Sequence, residues 1–140
     1  MLLKANDDNS ISLKQISNLG YSTISATNGQ EAVRLIDSEF KLLNNVYSSL
    51  SSSDIEQINS HRISLILTEC NLPIMTGFGI SQVIRAMGPP VSNIPIVVLT
   101  ALPIEEIQNK CIESGINDYL AKPLKNEELE KVLTKWIVEN

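Results

Sequence analysis

The sequence predicts an α/β fold in which a parallel sheet is covered by helices on both faces. Short apolar runs alternate with segments of helical spacing along all 140 residues, which is typical of repeated strand–helix units. The run at residues 94–99 is rich in Val and Ile, as expected for a strand buried on both faces. Polar residues follow the strands, where a doubly wound sheet gathers its functional groups.

The first two units each consist of a short strand and a helix. The strands are predicted at residues 2–5 and 21–26. Gly20 ends the first helix, and Asn28-Gly29 forms a turn before the second. Apolar residues at helical spacing mark the two helices: Ile11, Ile16 and Leu19, then Ala32, Val33, Ile36 and Phe40.

Three further units complete the pattern, with strands predicted at residues 63–67, 94–99 and 118–121. The third helix ends at Gly88, and the fourth has Pro103 near its start and Gly115 after its end. Asn126 is predicted to cap the fifth helix. The fifth helix carries an apolar stripe of Leu129, Val132, Leu133, Trp136 and Ile137.

Residues 38–62 are longer than an ordinary helix-to-strand connection. Leu42, Leu43 and Val46 can extend the second helix, and a serine-rich stretch follows. We interpret the chain as a single domain over residues 1–140 with a surface insertion at about 38–62. A partner-binding loop is the alternative interpretation of the insertion.

Composition excludes several classes of protein. Hydrophobic residues make up 43 % of the chain and charged residues 19 %, as in ordinary soluble domains. A net charge of −5 disfavours direct nucleic-acid binding, and no apolar run of about 18 residues is present to span a membrane. Cys70 and Cys111 lack a CxxC spacing or a disulfide framework, so a cytoplasmic or nuclear location is expected.

Four polar groups lie at the carboxyl ends of predicted strands and should meet at one edge of the sheet. The first strand ends at Asp7-Asp8-Asn9, the third at Thr68-Glu69 and the fourth at Thr100-Ala101, and Lys122-Pro123 follows the fifth. Clustered carboxylates repel one another, and a hard divalent cation such as Mg²⁺ relieves the repulsion. Thr100 can hydrogen-bond an anionic group that Lys122 neutralises.

These motifs resemble those of response-regulator receiver domains, especially receivers fused to hybrid histidine kinases. The matching segments are residues 7–9, 20–21, 26–33, 69–78, 94–101 and 118–123, in the family's order. The resemblance implies a flavodoxin-like doubly wound (βα)5 sandwich with strand order 2-1-3-4-5. It also implies a signalling module of a two-component or phosphorelay system, not an enzyme, that forms part of a larger polypeptide.

The resemblance further implies a Mg²⁺ site. Asp7 and Asp8 correspond to the family's acidic metal-binding pair. Position 69 is the phospho-acceptor and a metal ligand, and Asn71 supplies a backbone carbonyl to the metal.

A switch is implied by the remaining matches. Thr100 corresponds to the switch hydroxyl, Tyr119 to the aromatic residue that changes rotamer beside it, and Lys122 to the lysine that contacts the phosphoryl group. The Lys122-Pro123 bond is cis in the family.

The acceptor position departs from the family, because Glu69 replaces aspartate. Its side chain is longer by one C–C bond, about 1.5 Å, and phosphoryl transfer depends on positioning. Glu69 is expected to reach Lys122 or Thr100 and partly imitate a phosphorylated aspartate. Lys4 and Asn6 also stand where the family has apolar residues in the first strand.

We therefore expect an atypical receiver, or pseudo-receiver, that acts through protein contacts. Its partner would be a histidine kinase, a phosphotransfer protein or an effector domain, bound at the face of the fourth strand, fourth helix and fifth strand. A Mg²⁺-dependent phosphoacceptor with altered geometry is the main alternative. A haloacid-dehalogenase-type phosphatase is remote, because Asp7-Asp8 lacks the required spacing, and a flavin-binding flavodoxin lacks its phosphate loop.

Overall fold

A computed structural model describes residues 2–5, 13–46, 63–72, 74–88 and 91–137. Five parallel strands form one sheet in the order β2-β1-β3-β4-β5, which confirms the predicted fold class. The strands are β1 (Leu2–Ala5), β2 (Thr23–Ala26), β3 (Leu65–Glu69), β4 (Ile96–Thr100) and β5 (Asp118–Ala121). The helices are α1 (Leu13–Asn18), α2 (Gly29–Val46), α3 (Gly77–Ala86), α4 (Ile104–Ser114) and α5 (Asn126–Trp136).

Two strands extend past their apolar runs, to the polar residues expected at their carboxyl ends. The apolar runs at 63–67 and 94–99 stop before Glu69 and Thr100, and both residues lie inside the sheet. The Cys70 N–H donates to the Leu99 carbonyl and the Lys122 N–H donates to the Thr100 carbonyl, so pairing continues past the apolar residues. Apolarity marks where a strand is buried in the core, whereas backbone pairing decides where it ends.

Helix α2 is longer than the predicted core of the second helix, because it continues to Val46. Residues 38–46 of the predicted insertion are therefore helical. Residues 47–62 lie outside the described residues, and the organisation of residues 1–140 as a single domain stays a prediction.

The two faces of the sheet bury different sets of side chains, because successive residues of a strand point to opposite sides. One face packs against α1 and α5, and its cluster includes Leu2, Leu65, Leu67, Val97, Leu99, Leu120, Leu129 and Leu133. The other face packs against α2, α3 and α4, and its clusters include Leu3, Ile66, Ile80, Ile96, Cys70, Val98 and Ile107. This alternation decides which face each functional side chain joins at the end of its strand.

The start of α5 differs from its prediction. Asn126 is the first helical residue, and Lys125 occupies the N-cap position without a side-chain cap. The Asn126 side chain instead accepts a hydrogen bond from the Gln15 amide group of α1 at 2.8 Å. Among the described residues, no helix is long and apolar enough to cross a membrane.

Candidate functional site

Three of the predicted site residues meet at the carboxyl edge of the sheet. Glu69 ends β3, Thr100 ends β4 and Lys122 follows β5 directly. In the register of the sheet, Glu69 lies opposite Leu99 and Thr100 lies opposite Ala121. Three neighbouring parallel strands thus deliver a carboxylate, a hydroxyl and an ammonium group to one edge.

The carboxylate of Glu69 forms an ion pair with the ammonium group of Lys122. The Glu69 side chain is 3 % exposed and the Lys122 side chain 32 % exposed. Both belong to the face that packs against α1 and α5, since Glu69 alternates with Leu67 and Lys122 alternates with Leu120. The Lys122-Pro123 peptide bond is cis, as the resemblance implies.

Thr100 is buried, and its hydroxyl oxygen accepts a hydrogen bond from the Leu102 N–H at 3.0 Å. Its side chain shares the face of Val98, which packs against α4. Of the two partners expected for Glu69, the structure therefore brings Lys122 to its carboxylate, whereas Thr100 contacts the loop that follows β4.

Cys70 lies beside Thr100 on the opposite face of the sheet from Glu69, in a buried apolar cluster with Val98 and Ile107. Burial raises the pKa of the Cys70 thiol, and a side-chain hydrogen bond with Thr100 and the positive charges of Lys110 and Lys122 oppose that rise. The contact has a signal in the sequence, because Cys70 follows Glu69 directly and must face the opposite side of the sheet.

Tyr119 is 41 % exposed and lies opposite Val98, not opposite Thr100. With Ile104 and Ile112 it lines a shallow groove between α4 and β5. The ring therefore lies at the predicted partner-binding face, on the same side of the sheet as Thr100.

Two backbone features at this edge are not predicted from the sequence: the close approach of Gly77 to β3 and the left-handed conformation of Ile74. A Cβ atom on Gly77 would lie 2.5 Å from the Glu69 carbonyl oxygen, and the Gly77 N–H donates to the Cys70 carbonyl at 3.1 Å. These contacts hold the start of α3 against the end of β3. Ile74, in the loop between them, has a left-handed backbone with φ of 73°.

The predicted metal ligands fall partly outside the described residues, since Asp7 and Asp8 lie there. Within the described part of the chain, no group of three His, Cys, Asp or Glu side chains is assembled for a metal ion. Glu69 and the exposed Asn71 are described, and a carboxylate with a backbone carbonyl has the oxygen chemistry that Mg²⁺ prefers. The donor set fits the ion in chemical type.

A family model for the response regulator receiver domain matches residues 46–134, more than half of the chain. The chain belongs to this family of signalling modules.

Two relatives from Dictyostelium discoideum belong to hybrid signalling proteins. The chain is 33 % identical over 135 residues to the hybrid signal transduction protein dokA, which covers 94 % of this chain and 7 % of dokA. It is 34 % identical over 91 residues to the hybrid signal transduction histidine kinase C, covering 61 % of this chain and 7 % of that protein. The chain thus spans a small fraction of the length of these relatives.

Solved structures agree with the fold. The receiver domain of the sensor histidine kinase PA1611 from Pseudomonas aeruginosa superposes with a TM-score of 0.71 at 29 % identity, covering 96 % of this chain and 94 % of that chain. That crystal structure has a magnesium ion coordinated in its active-site cleft. The chemotaxis protein CheY4 of Vibrio cholerae has a TM-score of 0.72 at 23 % identity, over 97 % of both chains, and supports the fold alone.

Proposed function

We propose that the chain is an atypical receiver, a pseudo-receiver in which Glu69 occupies the phospho-acceptor position and accepts no phosphoryl group. The observation that carries the proposal is the ion pair between Glu69 and Lys122. In a receiver that works by phosphorylation, the lysine at this position neutralises the incoming phosphoryl oxygens. Here the same ammonium group is engaged by the side chain that would have to receive the phosphoryl group.

Geometry and charge both oppose phosphoryl transfer to Glu69. The nucleophile of an in-line transfer has to be positioned closely, and a misplacement of about 1 Å can cost on the order of 100-fold in rate. The extra methylene of Glu69 displaces the carboxylate toward Lys122. Pairing with the lysine also withdraws electron density from the oxygen that would attack.

Mg²⁺ remains a proposed ligand, held by Asp7, Asp8, the Glu69 carboxylate and the Asn71 backbone carbonyl. When bound, the ion would neutralise the carboxylates of the site. The Glu69–Lys122 pair already supplies part of this neutralisation. We therefore expect weaker binding of Mg²⁺ than in an aspartate variant.

The proposed output is a contact with a protein, namely a histidine kinase, a phosphotransfer protein or an effector domain. The groove between α4 and β5 supports a role for that face, because Ile112 is 69 % and Tyr119 41 % exposed there. Apolar side chains exposed together on a small domain favour a binding role. The receiver is proposed to be one domain of a larger polypeptide in the cytoplasm or nucleus. Cys70 and Cys111 are buried free thiols in the structure, and they would stay reduced in those compartments.

Incubation with Mg²⁺ and acetyl phosphate, followed by intact-mass measurement, tests the proposal. The unaltered chain is expected to gain no phosphoryl mass. A fraction of the Glu69→Asp molecules is expected to gain the mass of one phosphoryl group. Glu69→Gln is the matched control, because it keeps the length of the side chain and removes the nucleophilic charge. A stoichiometric, base-labile adduct on the unaltered chain would instead establish the alternative, a competent phosphoacceptor with altered geometry.

A further inference from the structure

The carboxyl end of α4 is held by two side chains of α3. Ser81 and Arg85 lie one helical turn apart, on the same face of α3. The Ser81 hydroxyl donates to the Ser114 carbonyl at 2.5 Å. The Arg85 guanidinium donates twice to the Gly115 carbonyl, at 2.9 and 2.7 Å. Carbonyl groups at the end of a helix have no partner within the helix, and a cation there is favoured by the helix dipole. The two side chains of α3 therefore satisfy the end of α4.

Arg85 also fixes the segment that joins α4 to β5. Its guanidinium donates to Asn117 Oδ1 at 2.7 Å, and the same oxygen accepts the Ile96 N–H at 2.8 Å. The Asn117 N–H donates in turn to the Ile96 carbonyl at 2.8 Å. Glycine at position 115 permits this approach, because a Cβ atom there would lie 2.8 Å from Arg85 Cγ. We call Ser81, Arg85 and Asn117 the α3 clamp, since together they join α3, α4 and the start of β4.

The α3 clamp borders the groove between α4 and β5. Asn117 and the preceding Ile116 both line this groove. The Ile116 N–H donates to the Cys111 carbonyl at 2.9 Å, which holds Ile116 against the last turn of α4. The wall of the groove that α4 provides is therefore positioned from α3.

The clamp and the ion pair lie at opposite edges of the sheet. Ile96 begins β4 and Thr100 ends it, which separates the two edges by about 13 Å at roughly 3.3 Å per residue. The ion pair of Glu69 and Lys122 also lies on the face of α1 and α5, whereas the Tyr119 ring lies on the face of α4. Arginine stays protonated in proteins, so the clamp keeps its charge whatever the state of the site.

We infer that Ser81 and Arg85 hold the groove between α4 and β5 in one permanent setting, which does not depend on the charge at position 69. The inference rests on the proposed function, since it concerns the regulation of the proposed partner-binding face. That face would be available without a preceding phosphorylation step. A surface that already has its bound geometry avoids the cost of being ordered when a partner binds.

Hydrogen exchange and NMR on the full chain test the clamp. Ser81→Ala removes one donor, and exchange of the Ile116 and Asn117 amides is expected to rise about threefold to tenfold, the range for loss of one net hydrogen bond. The resonances of the Tyr119 ring are expected to move as well. Ser17→Ala, on the exposed side of α1, is the matched control and should leave these signals unchanged.

Arg85→Lys removes more of the clamp, because an ammonium group cannot reproduce the planar set of donors. Exchange of the Ile116 and Asn117 amides is expected to rise further than in Ser81→Ala. Arg34→Lys, on the exposed side of α2, is the control for this change. Ser81→Ala removes only one hydroxyl group, so the test does not depend on whether Arg85→Lys folds.

Glu69→Gln changes the site and leaves the clamp intact. It removes the charge at position 69 and keeps the length of the side chain, so the amide resonance of Lys122 is expected to move. Exchange of the Ile116 and Asn117 amides should stay within about twofold of the unaltered chain, as for distant sites that share no partner. A rise as large as in Ser81→Ala would overturn the inference, and so would unchanged exchange in both clamp variants.

The inference and the proposed function fail on different results. The exchange measurements contain neither Mg²⁺ nor a phosphodonor, so they do not depend on whether Glu69 accepts a phosphoryl group. If the groove signals follow position 69, the inference fails while the proposed function stands. If the unaltered chain gains phosphoryl mass, the proposed function itself fails.

Discussion

The Glu69 carboxylate and the Lys122 ammonium group pair at the carboxyl edge of the sheet with unequal burial. The glutamate side chain is 3 % exposed and the lysine side chain 32 % exposed. A charge that is buried depends on its partner more than a charge that also contacts water. The glutamate therefore relies on the lysine, whereas the lysine is partly solvated on its own.

Removal of the lysine alone is the first prediction. Lys122→Met is expected to lower the free energy of unfolding by about 1–3 kcal/mol, less than the loss for a fully buried pair because the lysine is partly exposed. The double variant Glu69→Gln/Lys122→Met should recover much of this loss, because no buried carboxylate is left unpaired. Urea denaturation measures both values.

Lys131→Met on the exposed side of α5 is the control for loss of a lysine, and its effect should stay within about 0.5 kcal/mol. If Lys122→Met is as stable as this control, the pair contributes nothing to the fold. The ion pair would then no longer support the proposed function.

The second prediction concerns the close approach of α3 to β3. In Gly77→Ala the new Cβ would lie 2.5 Å from the Glu69 carbonyl oxygen and 3.2 Å from Thr68 Cγ2, both at the carboxyl end of the central strand β3. The backbone has to shift, at a cost of roughly 1–3 kcal/mol. NMR resonances of Glu69 and Lys122 are expected to move as the end of β3 is displaced.

Gly88→Ala separates this effect from a general cost of replacing glycine. Gly88 has φ of 86° but nothing within 4 Å of its Cβ position, so alanine there brings backbone strain alone. The variant should lose stability without moving the resonances of the site. Equal movement in both variants would contradict the steric explanation.

The fold could be predicted from the sequence because its signals are local. Apolar runs and helical spacing locate all five units, and β1 and β5 begin and end where predicted. Apolar periodicity alone does not mark Glu69 and Thr100 as strand residues, because both are polar, although both are buried and paired in the sheet. Their burial depends on neighbouring strands that periodicity does not reveal.

The sequence predicts at which edge of the sheet the site lies, but not which of its side chains contact one another. Parallel strands bring position 69, Thr100 and Lys122 together from topology alone. The choice of Lys122 as the partner of Glu69, and of Cys70 as the neighbour of Thr100, depends on the face each side chain joins. The cap predicted at Asn126 is wrong for a similar reason, because a contact from α1 engages its side chain.

Arg85 gives the third prediction, because it links α3 to two other segments, residues 92–94 and 115–117, through five hydrogen bonds. Its guanidinium donates to the carbonyl oxygens of Gly115 at 2.9 and 2.7 Å, Ser92 at 2.7 Å and Ile94 at 2.8 Å, and to Asn117 Oδ1 at 2.7 Å. Lysine cannot reproduce this planar set of donors. Arg85→Lys is expected to lower the free energy of unfolding by about 2–3 kcal/mol, measured by urea denaturation.

The matched control for this change is Arg34→Lys, on the exposed side of α2. It is expected to shift stability by less than about 0.5 kcal/mol. Equal effects of the two substitutions would show that the hydrogen bonds of Arg85 are replaceable by a point charge.

Lys4 provides a prediction about pH. It lies in β1, between β2 and β3, and is 9 % exposed. Burial lowers the pKa of the Lys4 ammonium group below its ordinary value of 10.5. In alkaline solution the folded chain therefore releases this proton before the unfolded chain does.

The sign of the effect follows from proton linkage. Where the unfolded state binds more protons, the free energy of unfolding rises with pH. The contribution of Lys4 to the free energy of unfolding therefore increases as pH rises through the pKa of the folded chain. It is complete above 10.5, the pKa of lysine in the unfolded chain, and it is lost as pH falls back through the folded pKa. Urea denaturation measures the free energy of unfolding of the unaltered chain and of Lys4→Met between neutral pH and pH 10.5. The difference between the two chains gives the contribution of Lys4, because the other titrating groups are the same in both. The stability of the unaltered chain relative to Lys4→Met should increase with pH, and a constant difference would show that the buried lysine keeps an ordinary pKa.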